Sequence, residues 1–409
     1  MLNPNWRFIS RITLTAAMAV SVSLVSLTTL AAGQREDAHA ILAAAPKTTT
    51  SVAGVEAFPA PPSNFNPLTA TNHDLLMYGL PQRPDDTTTS HAYQQWEKAM
   101  QALQSCYQRA QVQGPSTSRA GGSQACHGSD VKAKPYTSRE MVPGPGAIAQ
   151  NADGTTAYNS YNWSGIANTN KLKSWNNKTS FDEVVSIWNV PVSNHPFGNL
   201  PCSEGPWFEV TWNGIDGFNN GDVVQGGSAE YWDDGGCGGP VEYYGWVEWY
   251  PSYSILAIYC GNNPCTVGPG DDFEVVTFAA QGTSEQFVFV EDVTQQWSGT
   301  FGLNYVSGPG VVGSSAEYIV ERPCCNGSNY YPLANYVWEF FDDSFAYDVA
   351  GTLFYPGNTG SSTAIITMLA DDGSTQISYP VFYGTAGNQG RYSIWLSDEN
   401  CAYSGGCNP

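Results

Sequence analysis

From about Tyr158 to its end the chain alternates short aromatic or β-branched runs with clusters of Gly, Asn, Asp and Pro, and helical periods are essentially absent. Period-two runs broken by turn-forming clusters are the signature of many short antiparallel strands. Candidate strands are Val184 to Val190, Glu209 to Trp212, Val241 to Tyr250, Phe273 to Ala279, Gln286 to Val290, Ala316 to Glu321, Tyr336 to Phe341 and Ala364 to Leu369. Roughly 250 residues of this kind in one block predict a single all-β domain at 155–409, a two-sheet antiparallel β-sandwich of the jelly-roll or concanavalin-like kind.

The preceding third reads differently. Arg7 and Arg11 precede an apolar run from Ile12 to Ala32 and a polar Gly-Gln-Arg-Glu-Asp stretch, which predicts a secretory signal peptide over 1–32. Cleavage is expected at Ala31 or Ala32, or as late as Ala38-His39-Ala40; a retained membrane anchor is the alternative, because about 20 apolar residues span a bilayer. Residues 41–88 are rich in Ala, Pro and Thr and read as an extended linker or pro-segment. From Ser90 to Arg109, Tyr93, Trp96, Met100, Leu103 and Tyr107 recur at steps of three and four, one face of an amphipathic helix over about 90–109. That face needs a cover, supplied by its own neighbourhood or by the β domain. Residues 41–154 are thus expected to be a partly helical pro-segment shielding the site, or a plain spacer.

Charge separates the same two parts. Residues 1–154 hold 11 Lys and Arg against 10 Asp and Glu, whereas 155–409 hold 5 against 27. A domain so acidic repels nucleic acid and anionic membranes, so neither is an expected partner. Below the carboxylate reference pKa of about 4 only a handful of cations, among them Lys171, Arg322 and His195, stay charged. The domain is expected thereby to escape the cationic self-repulsion of acid unfolding, with ordinary acidic solubility or a salt-tolerant surface as the alternative. The ten cysteines of an exported chain point to disulfides; Cys260 with Cys265 and Cys401 with Cys407 are close enough to staple local loops. Secretion as a monomer, free of the membrane once the signal is removed, is the expectation.

Few catalytic types remain for such a domain. His195 is its only histidine and sits in a loop-like Asn-His-Pro setting; no H-E-x-x-H, C-x-x-C or G-x-S-x-G motif occurs. No metal and no cofactor are expected. Carboxylates and amides are left. Period two puts Trp246, Glu248 and Tyr250 on one strand face, and Glu317 with Glu321 on another, while Gln225 shares its face with Val223 ahead of two glycines. Glu317 and Glu321 stand about 13 Å apart along one strand, too far for joint action on one bond. Spacing alone does not choose between them.

At these segments the sequence resembles the glutamic peptidases, or eqolisins. The blocks are Asn162-Trp163-Ser164-Gly165, Trp188-Asn189-Val190-Pro191, Trp212-Asn213-Gly214-Ile215-Asp216-Gly217, Val224-Gln225-Gly226-Gly227, Glu248-Trp249-Tyr250-Pro251 and Ala316-Glu317-Tyr318-Ile319-Val320-Glu321. The resemblance implies a two-sheet sandwich with a substrate groove, no metal, and polypeptide substrates cleaved in acid by a Gln/Glu pair. That pair falls on Gln225 and Glu321. Trp163, Trp212, Asp216, Trp246, Glu248, Tyr250 and Glu317 fall at groove positions. Glu321 would act as general base and then acid, and Gln225 would orient the water and stabilise the oxyanion. Two rivals stay open: a β-sandwich glycoside hydrolase, whose carboxyl groups must stand about 5 to 9.5 Å apart, and a non-catalytic carbohydrate- or peptide-binding module.

Overall fold

A computed structural model describes residues 35–84, 91–113, 131–135, 146–150, 156–193, 206–232, 241–326, 329–336, 338–356, 363–381 and 392–396. The signal segment, the His195 loop and the Cys401–Cys407 pair lie outside these residues. Principal strands in chain order are β1 (Trp163–Thr169), β2 (Phe181–Asn189), β3 (Trp207–Asp216), β4 (Val223–Trp232), β5 (Val241–Tyr250), β6 (Leu256–Cys260), β7 (Asp272–Phe278), β8 (Gln286–Asp292), β9 (Trp297–Leu303), β10 (Ser315–Glu321), β11 (Trp338–Asp348) and β12 (Thr363–Leu369).

Hydrogen-bonded ladders order these strands into two antiparallel sheets. The front sheet runs β12-β1-β10-β3-β4-β5-β6. The back sheet runs β11-β2-β7-β8-β9. Strands Gln376–Val381 and Tyr392–Leu396 bridge β12 to β11 and join the sheets along one border. Between the sheets lies a core of Ile166, Ile215, Val224, Val247, Trp249, Tyr318 and Val320 from the front against Val184, Trp188, Phe273, Val275, Val288 and Val290 from the back. The expected two-sheet sandwich is therefore the observed one. Polar side chains inside it are tied across the gap: Asn213 donates to the Val275 carbonyl at 2.7 Å and accepts from the Thr277 hydroxyl at 2.9 Å, as a buried amide requires.

The N-terminal third is more structured than its composition suggests. Residues 41–88, read as extended, contribute most of α1 (Ala38–Ala44), all of α2 (Asn72–Met77), and strand Val55–Ala57, which pairs with β9 at the edge of the back sheet. Asp37 and Thr71 cap the two helices through Ala40 N and Asp74 N. The amphipathic helix is present as α3 (His91–Gln113), with Trp96, Met100 and Leu103 buried as the periodicity requires. Farther on, strand Val131–Pro135 extends the front sheet beyond β6. At the opposite edge of that sheet, Thr156–Ser160 lies beside β12 and Gly146–Gln150 pairs with it. Cys260 and Cys265 form the expected local disulfide. No helix among the described residues is long and apolar enough to cross a membrane.

Candidate active site

Direct cross-strand partners point to the same side of a sheet, so register alone composes the outer face of the front sheet. One row across it reads Ala167, Glu317, Gly214, Gln225, Glu248. The next reads Gly165, Ile319, Trp212, Gly227, Trp246, and the one after it Trp163, Glu321, Val210, Ala229, Tyr244. Tyr250 and Val223 are paired on the other side of the Gln225 row. Every groove position named from the sequence thus lies on this one face or, for Asp216, at its margin.

Glu321 is held by two donors. Asn162 Nδ2 donates to its Oε1 at 3.0 Å, and Trp212 Nε1 donates to its Oε2 at 3.0 Å. An N–H bond on each oxygen supports the carboxylate, where full burial opposes its charge. Asn162 is itself fixed: its Oδ1 accepts from the Ser160 hydroxyl at 2.9 Å and its carbonyl from the Arg322 amide at 3.0 Å. Trp212 is braced edge-to-face by Trp163, ring centroids 4.9 Å apart.

Gln225 lies two strands and two rows away, and its Nε2 donates to Glu248 Oε2 at 2.7 Å. The Trp212 ring spans the interval between the two residues. Its far edge lies 3.0 Å from where a Cβ on Gly214 would stand, and Gly214 is the cross-strand partner of Gln225. A side chain at Gly214 would also meet the Val224 carbonyl at 2.7 Å and Gln225 Cβ at 3.0 Å, so the absence of one leaves the room that the ring edge and the base of the Gln225 side chain border.

The remaining acids differ from Glu321 in surroundings. Glu317 shares the Gln225 row, is fully buried, and closes no hydrogen bond of good geometry through either carboxyl oxygen. Burial pushes its carboxyl well above the ordinary range, with Ser315 and the Phe218 backbone opposing too weakly and the charge of Asp216 adding to the rise. Asp216 is spent on structure: its oxygens accept from the backbone amides of Val312, Gly313 and Ser314 at 2.5 to 2.9 Å and from the Ser314 hydroxyl at 2.8 Å. Trp246 donates to the Ser228 carbonyl at 3.0 Å. Among the described residues no group of three or more His, Cys, Asp or Glu side chains is placed to hold a metal ion.

Sequence reasoning placed Asn162 in a motif block without a role. The only local signal was that block, because its partner stands 159 positions later.

The model of the peptidase A4 family matches residues 161–381. Among solved structures, scytalido-glutamic peptidase with a peptide-based transition-state analogue aligns at 20% identity over 58% of this chain and 98% of its own, TM-score 0.43. SCP-B, described as an eqolisin, in complex with the tripeptide Ala-Ile-His, gives 19%, 58%, 98% and 0.42. Aspergilloglutamic peptidase from Aspergillus niger gives 20%, 46%, 99% and 0.37. No curated protein sequence matches the chain.

Proposed function

Since the chain belongs to the peptidase A4 family, and is therefore a glutamic-type endopeptidase, we propose that it hydrolyses polypeptides in acid with Glu321 and Gln225 as its catalytic pair. The observation that carries this reading is the seating of Glu321, with one N–H donor on each oxygen and Trp212 reaching from it to the partner of Gln225. With those donors supporting its charged form, Glu321 takes a proton from water in conditions where a histidine is fully protonated. The water adds to the scissile carbonyl. The Gln225 amide, aimed by Glu248, orients the water and donates to the developing oxyanion, and Glu321 returns the proton to the leaving nitrogen. Trp163, Trp212, Trp246 and Tyr250 supply apolar contact to an extended substrate. Glu317, neutral through burial, keeps a second negative charge out of the row beside Gln225.

Secretion, action as a monomer and latency belong to the same proposal. Gln225, Glu248, Glu321, Trp163, Trp212 and Trp246 all have 0% exposure in the full chain. A polypeptide cannot reach a site in that state, so a pro-segment within 41–154 is part of the reading. Its candidate portion adjoins the front sheet, where Val131–Pro135 and Gly146–Gln150 sit at opposite edges.

The deciding assay incubates the chain with denatured protein and with polysaccharides from pH 2 to 7, beside Gln225→Ala and Glu321→Ala. Acid proteolysis that appears after processing and vanishes in both variants is the expected result. Undiminished proteolysis in either variant sinks the assignment, and sugar release alone selects a glycoside hydrolase.

A further inference from the structure

The outer face of the back sheet is as apolar as a core. Val185, Val276, Phe278, Phe287, Phe289, Phe345 and Tyr347 form one cluster there with Leu42, Phe58, Leu75, Leu76, Leu80, Trp96, Met100 and Leu103. Apart from Val293 and Tyr355, everything in that cluster beyond the sheet's own strands comes from residues 38–103. Five aromatic side chains of the sheet at about 150 to 250 Å² each would, if uncovered, expose on the order of 700 Å² or more. Soluble monomers rarely expose contiguous apolar patches beyond a few hundred Å².

Polar ties fix the same layer. Arg35 pairs with Glu183 at 2.5 Å and lies over the Tyr347 ring; Lys47 pairs with Glu285 at 3.0 Å; Lys98 pairs with Asp272. Backbone ties are as numerous: Val55–Ala57 occupies the edge of β9, Phe58 N donates to the Thr300 carbonyl, and the Thr300 hydroxyl donates to the Gly79 carbonyl at 2.6 Å. The cavity left at the joint, lined by Pro81, Trp96, Glu183 and Phe345 among others, measures about 10 Å³, at the limit of holding one water. This layer stands on the opposite side of the sandwich from Gln225 and Glu321, and it lies ahead of the stretch matched by the family model.

We propose that residues 35–84 and helix α3 are a permanent third layer of the peptidase, docked on the outer face of the back sheet, and that processing which opens the site leaves them in place. The surface is the β2-β7-β8-β11 face, and its partner is this chain's own N-terminal segment. Removal of a pro-segment is then confined to residues beyond Gln113. The active species is a sandwich with a helical backing.

The test uses the full chain carrying Glu321→Ala, with Cys106→Ser so that no disulfide joins the fragments, and an uncut sample incubated in parallel reports any self-digestion, whichever residue is catalytic. A recognition sequence for a site-specific protease is inserted between Gln113 and Val131, the chain is cut, and the products are separated by gel filtration at pH 4 and at pH 7. Co-elution of the 35–113 fragment with the β domain in equal amounts is expected at both. A β domain that elutes alone, monomeric and with unchanged circular dichroism, overturns the proposal. In the cut chain, Trp96→Ala with Met100→Ala is expected to speed loss of the fragment at least tenfold; unchanged retention would show that this face is not the joint. A chain starting at Val131 is expected to aggregate or to bind an apolar-surface dye, and a monodisperse product with an unaltered thermal midpoint again overturns it.

Discussion

Glu209 and Glu230 are direct cross-strand partners on β3 and β4, both fully buried on the side that faces the back sheet, with Glu339 of β11 near enough for its charge to act on them. Burial pushes Glu209 up to about 7 and Glu230 well above the ordinary carboxylate range, the latter further through the charge of Glu209. The back sheet repeats the device with Glu274, pushed to about 8 by burial, opposite Glu291, also raised. Asp182 and Asp292 rise by burial to about 8 and about 9. These groups hold protons in the folded state that an unfolded chain releases near pH 4, so the folded state binds more protons and stability falls as pH rises. Their stabilising contribution is whole below about pH 4 and is lost progressively up to about pH 9. The urea midpoint should therefore be highest near pH 3 to 4 and decline toward pH 8. Each extra bound proton contributes about 1.4 kcal/mol per pH unit. Glu230→Gln should flatten the decline and stabilise the protein at pH 8; a midpoint that rises with pH would contradict the assignment.

Glu317 and Glu321 are separable by activity. Glu321→Gln removes the proton acceptor and should cost on the order of 10²- to 10⁴-fold in kcat. Glu317→Gln replaces an acid already neutral at working pH and should leave kcat within about tenfold, since a neutral amide substitutes for a neutral acid in the same space. Single-turnover cleavage of a short peptide at pH 3 to 5 measures both.

Trp212→Phe keeps an aromatic, though smaller, side chain and deletes the N–H that reaches Glu321. With one donor gone, the carboxylate is less favoured over the acid. The acidic limb of kcat should move to higher pH, and kcat at pH 3 should fall about tenfold. Asn162→Ala should displace the limb in the same direction, because it removes the donor to the other oxygen. A limb left in place by both changes would mean that these donors only hold the fold.

Gly214→Ala fills the room between the Trp212 ring edge and the Gln225 side chain. The new methyl would meet Val224 O at 2.7 Å and Gln225 Cβ at 3.0 Å, and overpacking of this sort costs about 1 to 3 kcal/mol. A lowered thermal midpoint and a kcat loss larger than the KM change are the expected pair of effects.

The strands and the face of the site were legible because their signal is local. Trp246, Glu248 and Tyr250 declare a face within five residues, and Gln225 stands out by the glycines after it. The N-terminal layer was not legible for the opposite reason. Leu42, Phe58, Leu75 and Leu76 belong to helices of six or seven residues or to no helix, too short to establish a period. They become a core only when β7 and β8 are already beneath them. The structural burden on Asp216 was hidden likewise, since it binds backbone amides of residues 312–314, groups common to almost every residue type. Only the longer α3 announced its buried side.

The bridging of the two sheets through Gln376–Val381 and Tyr392–Leu396 has a kinetic meaning. Strand β1 cannot complete its ladders until β10 and β12 have been synthesised, and β2 waits for β7 and β11. Early strands therefore emerge with open edges, and each pairing must close a loop of tens to hundreds of residues, a topology that folds slowly and exposes edges to aggregation. Among the described residues the earliest made, Arg35 and strand Val55–Ala57, pair with strands made some 150 to 250 residues later. Closure of the sandwich thus waits for the last strands, and the connectivity itself delays completion of the fold until nearly all of the chain has been made.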